Sequence, residues 1–177
     1  TLAVFPVLNR RTPLRKLLRL WVLIYFANIL GATVFSILVT VIGAPLGIIE
    51  PYLFGEIAAR MVSHGWWVML LSGLLAGWLM GLMSWLIAGS RDTVSQIIFV
   101  WVVASAIGFT QLHHCIVGSV EVLSGIFAGQ GISMADYGRF LFWSTIGNAL
   151  GGVIFVALVK YSHVIRSVEE TENGDFE

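Results

Sequence analysis

Charged residues vanish from three long stretches of this chain. None occurs from Leu20 to Ile49, from Gly65 to Ser90, or from Phe140 to Val159. Each stretch reaches the ~20 apolar residues needed to cross the hydrocarbon core of a bilayer. In that medium every backbone N–H and C=O must find a partner within the protein, so a crossing segment of this length is a helix. Composition agrees with an all-α integral membrane protein. The 177 residues are 58% hydrophobic and 11% charged, against about 25% charged in soluble domains, and the mean hydropathy is +0.89. A formal net charge of zero gives no footing for nucleic acid, and the single cysteine, Cys115, excludes an intrachain disulfide.

The pattern divides into a basic lead-in over 1–16, a transmembrane domain over 17–161 and an acidic, polar tail over 162–177. Four membrane elements are expected, at about 17–43, 65–88, 93–128 and 139–161. Between the first two, Pro51, Glu50, Glu56 and Arg60 alternate with apolar residues at helical spacing, which reads as an interfacial segment. Arg10, Arg11, Arg15, Lys16, Arg19, Arg91, Lys160 and Arg166 fall on one side of the membrane and only Arg60 and Arg139 on the other. The positive-inside rule then puts both termini in the cytoplasm, with Trp66 and Trp67 as outer anchors and Trp85 near the inner surface. Trp21, Trp101 and Trp143 are expected to face lipid or the interface.

The third element is too long for one straight helix. About 35 residues would extend roughly 52 Å, against a core of roughly 30 Å. Its middle, GFTQLHHCIVGSVE, is the most polar stretch at membrane depth. A break near 108–113 with a second half-helix starting near Leu112 resolves both facts. Irregular backbone survives in a membrane only where protein buries it or where it lines a watery cavity.

Two of the apolar runs share a spelling. ANILGATVF at 27–35 and GNALGGVIF at 147–155 align Asn28 with Asn148, Leu30 with Leu150, Gly31 with Gly151 and Phe35 with Phe155. The two helices enter the membrane from opposite sides, which is the mark of an inverted-topology repeat. The second unit has three elements. The first unit then needs two more helices before the first one seen, and the chain starts at Thr1 rather than Met. The expectation is a chain holding about four of six transmembrane helices, which by itself cannot enclose a pore.

Four strings carry a family resemblance. TIGNALGG at 145–152 resembles the last-helix signature of the formate/nitrite transporter family. WVLIYFANILGA at 21–32 resembles that family's third helix, SGLLAGWLMGLMSW at 72–85 its fourth, and GFTQLHHCIVGS at 108–119 its broken fifth. The resemblance covers about 15–161. It implies an aquaporin-like inverted-repeat helical bundle and a homopentamer with one pore per protomer. It also implies transport of small monovalent anions such as formate, nitrite or hydrosulfide across the plasma (inner) membrane, with no enzymatic activity and no cofactor. Position by position, His114 matches the family's pore His, His113 stands where a Glu often precedes it, and Asn28 and Asn148 match the paired helix asparagines. The chain departs from the family at Gly77 and Gly118, where Asn is usual, at Met61, where Lys is frequent, and at Glu121, which is extra.

The candidate pore residues are therefore His114, His113, Thr110, Gln111 and Glu121. His114 can offer a hydrogen bond or a proton to an anion, whereas His113 would point elsewhere and is more simply a packed residue. Glu121 follows His114 by two helical turns on the same face, where an anion path disfavours an unpaired carboxylate. It is expected to be protonated, paired or turned to a subunit interface. Asn28 and Asn148 are expected to hold the breaks from behind. Gly73, Gly77 and Gly81 on one helix, with Gly147 and Gly151 on another, read as close-packing stripes. A metalloenzyme using His113, His114 and Glu121 is disfavoured, because adjacent helical side chains diverge by about 100°. Alternatives are an assembly or structural protein of the same fold without transport and, further behind, a channel for small neutral solutes.

Overall fold

The computed structural model describes residues 5–8 and 10–153. All regular structure among them is helical: α1 (Phe5–Leu8), α2 (Leu14–Gly43), α3 (Pro51–Val62), α4 (Trp66–Gly89), α5 (Thr93–Phe109), α6 (Val117–Phe127) and α7 (Met134–Ala149). A wider π-helical turn continues α7 through 150–153. The rest of the fourth expected span, Lys160, Arg166 and the acidic tail lie outside the described residues. Helices α2 and α4 are long and apolar enough to cross a membrane.

Local chemistry explains where the helices stop. Pro13 precedes α2, and Pro51 occupies the first turn of α3, where its missing N–H costs nothing. Asp92 accepts from the Ser95 amide to cap α5. Ser133 and Asp136 form a reciprocal capping box on α7. Both broken-element helices close in the same way. The Gln130 amide reaches the Gly125 carbonyl and Gly129 turns left-handed at φ 68°, which ends α6.

Helices α4 and α7 meet through glycine. A Cβ on Gly147 would fall on the Leu70 carbonyl, and one on Gly151 on the Leu74 carbonyl. Facing them, a Cβ on Gly77 would strike the Asn148 backbone. Small stripes on both partners thus let two backbones touch where lipid offers no hydrophobic drive to associate. The core sits beside this contact and gathers Met61 and Val62 of α3, Met69 of α4, Val122 and Leu123 of α6, and Tyr137 and Phe140 of α7. Helix α3 is amphipathic, as its spacing predicts. Its apolar face, however, lies on α6 rather than on lipid, because Gly125 lets Ala58 approach and bury completely. Trp143 joins the edge of the core and stacks at 5.0 Å on Trp66, whereas Trp101 is 70% exposed.

Helices α2 and α7 run antiparallel. Leu17 packs on Val153, and eight residues further along α2 Tyr25 Oη lies 2.9 Å from Thr145 Oγ1. Tyr25 and Thr145 hold matching places in the repeated pattern. Matching residues of two copies meet where they lie close to a two-fold axis relating the copies, so this contact accords with the expected inverted repeat.

Candidate functional site

The break in the third membrane element begins at the end of α5. The Thr110 amide returns to Ala106 O, Gln111 N–H to Gly108 O and Leu112 N–H to Ile107 O. Gln111 takes a left-handed φ of 54°. This is a Schellman closure with Gln where Gly is usual, a placement that costs about 1–2 kcal/mol. Thr110 is exposed and returns its hydroxyl to Ala106 O at 2.5 Å. The chain then stays irregular through Ile116 and resumes helix at Val117. The second half-helix therefore starts five residues later than the expected Leu112, because the following amides are claimed by groups other than helical carbonyls.

Those groups come from α4 and α7. His113 N–H donates to Ser72 Oγ at 3.0 Å, and Cys115 N–H donates to Asn148 Oδ1 at 2.9 Å. Asn148 Nδ2 donates to His113 O at 2.9 Å and to Gly73 O at 2.8 Å. One side chain on α7 thus pins both sides of the break and ties them to α4. Asn28, its sequence counterpart, donates to Ile24 O at 2.8 Å within its own helix.

The two histidines have different surroundings. His113 is 2% exposed, and both ring nitrogens are engaged. Nε2 lies 3.1 Å from Met61 O, which can only accept, so Nε2 carries the proton. Nδ1 then accepts from Ser72 Oγ at 2.9 Å. The ring joins α3 to α4 as a neutral strut, and it lies against Phe140 at 5.9 Å. His114 is half-buried and faces open space. Its Nδ1 accepts from the Val117 amide at 3.3 Å, which leaves the neutral ring with its proton on Nε2. With the amides of His113, Cys115 and Val117 taken, the donors facing the cavity include the His114 ring and the Gln111 carboxamide rather than a row of helix amides.

Three hollows surround the start of α6. A cavity of ≈ 360 Å³ is lined by Met61, Met80, Gln111, His114 and Glu121 among others. A cleft of ≈ 590 Å³ includes Asn28, Gly77, Gly81, His114, Cys115 and Asn148. A third, of ≈ 550 Å³, includes Asn28, Gly31, Val117 and Glu121. His114 and Met80 divide the first from the second, while Val117 and Glu121 divide the first from the third. The structure therefore brings His114, Gln111 and Glu121 to one cavity, and places Thr110 and His113 outside its lining. Among the described residues no three His, Cys, Asp or Glu side chains converge as metal ligands would.

Some partners were not foreseeable from the chain. Ser72 lies in a run of leucine and glycine with nothing to mark it as the acceptor for His113. Ser36 of α2 donates to Val120 O at 3.1 Å, a link between helices that no local pattern announces. Arg139 reaches from α7 to the carbonyls of Val62 at 2.5 Å and His64 at 3.4 Å, closing the end of α3. In the sequence Arg139 signals sidedness only, as one of the two basic residues on the poorer side.

Comparison with known proteins yields one family. The family model described as formate/nitrite transporter matches residues 1–162. The uncharacterized transporter YrhG of Bacillus subtilis (strain 168) is 26% identical over 160 residues, which cover 86% of this chain and 58% of that protein. Inner membrane protein YfdC of Escherichia coli (strain K12) is 29% identical over 185 aligned positions, covering 98% of this chain and 56% of YfdC. The formate channel BtFdhC of Bacillus thuringiensis is 29% identical over 160 residues, covering 86% and 59%. The chain spans between 56% and 59% of the length of these relatives. No solved structure matches it.

Proposed function

Because the chain belongs to the formate/nitrite transporter family, we propose that it carries small monovalent anions of the formate, nitrite or hydrosulfide class across the plasma (inner) membrane. His114 is the group that governs their passage. The working protein is a homopentamer with both termini cytoplasmic, and it performs no chemistry on its cargo. The observation that carries this reading is the position of His114. It lines two adjoining hollows at the break, and its Nδ1 is held as an acceptor so that Nε2–H is the free donor. Two relatives add support, since one is named a formate channel and another an inner membrane protein.

The physics is that of desolvation. A bare anion entering a low-dielectric constriction loses hydration that the protein must replace. A neutral imidazole can donate one hydrogen bond at that point. A protonated one adds a positive charge, or hands its proton to the anion so that a weak acid passes neutral. Transport should therefore rise as pH falls toward the range where His gains its proton. Asn148 and His113 serve this site from behind by holding the break in shape.

Flux of formate, nitrite and hydrosulfide into proteoliposomes carrying the full-length protein, across a pH series, tests the proposal. His114→Phe should abolish or strongly reduce flux and flatten its pH dependence while leaving oligomer assembly intact. Unchanged flux with the same pH profile would remove His114 from the mechanism. Absence of any flux from the unaltered protein would favour a membrane assembly role for the same fold.

A further inference from the structure

The basic lead-in folds back on the start of α2. The Arg10 amide donates to Val7 O at 2.9 Å, and the amides of Arg11 and Thr12 donate to Pro6 O at 2.8 and 3.0 Å. Val7 then packs on Leu17, which is buried. Arg10 takes a left-handed φ of 55°, a conformation that glycine adopts at less cost. This hook keeps Arg10 and Arg11 at the first turns of α2, which carry Arg15, Lys16 and Arg19, and all five side chains are exposed. Arg15 and Arg19 stand one turn apart and about 160° round the helix from Leu17, so they point away from the protein.

No group in the fold answers these charges. Among the described residues none of the five forms an ion pair; the Asp136 carboxylate pairs with Arg139, and Asp92 is engaged in capping α5. Their place also opposes the helix. Arg15 and Lys16 lie in the first turn of α2 and Arg19 in the second, with no acidic residue and no side-chain cap there, and the positive end of the helix dipole repels cations. Cations gathered against the dipole and left unpaired suit an anion from outside the fold. The surface between them indicates which anion. Leu14, Leu18, Leu20 and Val22 alternate with the cations and are exposed as well. A soluble anion or an acidic peptide leaves that apolar area in water, whereas a phospholipid covers it with its acyl chains. Four of the five cations are arginines, whose planar fork meets two phosphate oxygens at once. We propose that residues 10–19 form a binding surface for anionic phospholipid in the leaflet around the start of α2. Each basic residue at an anionic membrane surface strengthens association by about fivefold, so Arg15 and Arg19 together account for about twenty-five-fold. The inference concerns lipid rather than cargo and stands apart from the transport reading.

The test measures equilibrium binding of phosphatidylglycerol, and of phosphatidylcholine with the same chains, to the full-length protein in non-ionic detergent micelles. A fluorescent label on one acyl chain reports binding by energy transfer from the tryptophans. The unaltered protein should prefer phosphatidylglycerol by roughly tenfold or more, and the preference should fall as added salt shortens the screening length. Arg15→Gln combined with Arg19→Gln should weaken phosphatidylglycerol by about twenty-five-fold and leave phosphatidylcholine unchanged. Arg91→Gln, in the turn between α4 and α5, should leave both unchanged. Equal affinity for the two lipids, or a preference indifferent to salt, would overturn the proposal, and neither result needs a variant to assemble. Undiminished phosphatidylglycerol binding by the assembled double variant would overturn it, as would an equal loss in Arg91→Gln. Glycerol phosphate competing as well as the lipid would make this a site for a free phosphate ester instead. Binding that appears only after removal of residues 167–177 would make the acidic tail the occupant and the lipid proposal wrong.

Discussion

In the 177-residue chain, Asn148→Ala should cost far more stability than Asn28→Ala, although the two asparagines hold the same place in a repeated sequence. Asn148 gives the Cys115 amide its acceptor at 2.9 Å and the His113 carbonyl its donor at 2.9 Å. Removing the side chain leaves both backbone groups unpaired at membrane depth. An orphaned buried group costs about 1–3 kcal/mol, while hydrogen bonds measured between membrane helices average nearer 0.6 kcal/mol with a maximum of about 1.7. Two groups then sum to about 1–3 kcal/mol on the membrane figures and to about 2–6 kcal/mol if water cannot reach them. The Gly73 carbonyl adds little, since it sits inside α4 and keeps its own helical N–H. Among the described residues Asn28 bonds to Ile24 O one turn earlier, on a face these 177 residues leave exposed, so its loss in this chain should cost within about 0.5 kcal/mol. Unfolding of each variant by sodium dodecyl sulfate in mixed micelles, followed by tryptophan fluorescence, gives both numbers. Equal losses, or a loss below about 1 kcal/mol for Asn148→Ala, would refute the claim that this side chain holds the break.

Other outcomes follow from the same contacts. Gly147→Val places a branched side chain against the Leu70 carbonyl of α4, and should destabilise the helix pair by at least the ~1–3 kcal/mol of an overpacked core, read in the same unfolding titration. His113→Ala removes the strut between Met61 O and Ser72 Oγ. It should lower the melting temperature while leaving the pH profile of the remaining flux in place, in contrast to His114→Phe. Ser133→Ala breaks the capping box on α7 and should cost about 1 kcal/mol. The Ser133 hydroxyl, then its amide, hold the Asp136 carboxyl below its ordinary range. A depressed folded pKa makes this contribution present above the unfolded value of about 4 and lost as pH falls through the lower folded value, so Ser133→Ala should matter less in strong acid.

Charge-free runs, the excess length of the third element and the repeated Asn-x-Leu-Gly spelling determine a helical membrane protein with one broken element and two antiparallel related helices. These features are local or periodic, and the bilayer turns them into structure because it leaves an unpaired backbone nowhere to go. The repeat is legible for the same reason: its glycines and asparagines answer a constraint imposed on each helix in turn. The tertiary structure alone decides how the like-spelled parts diverge. Asn148 faces the break because Gly147 and Gly151 draw α7 onto α4, and within these 177 residues Asn28 bonds to Ile24 O of its own helix. His113 and His114 are adjacent letters with opposite environments, since Ser72 and Met61 close around one ring and the cavity opens before the other. The resting place of α3 is likewise a matter of packing, because an amphipathic spacing suits lipid or a neighbouring helix equally and Gly125 settles it for the helix. Where two groups are brought together by helices far apart in the chain, no periodicity records the meeting; it exists only once the backbones have approached closely enough for it to form.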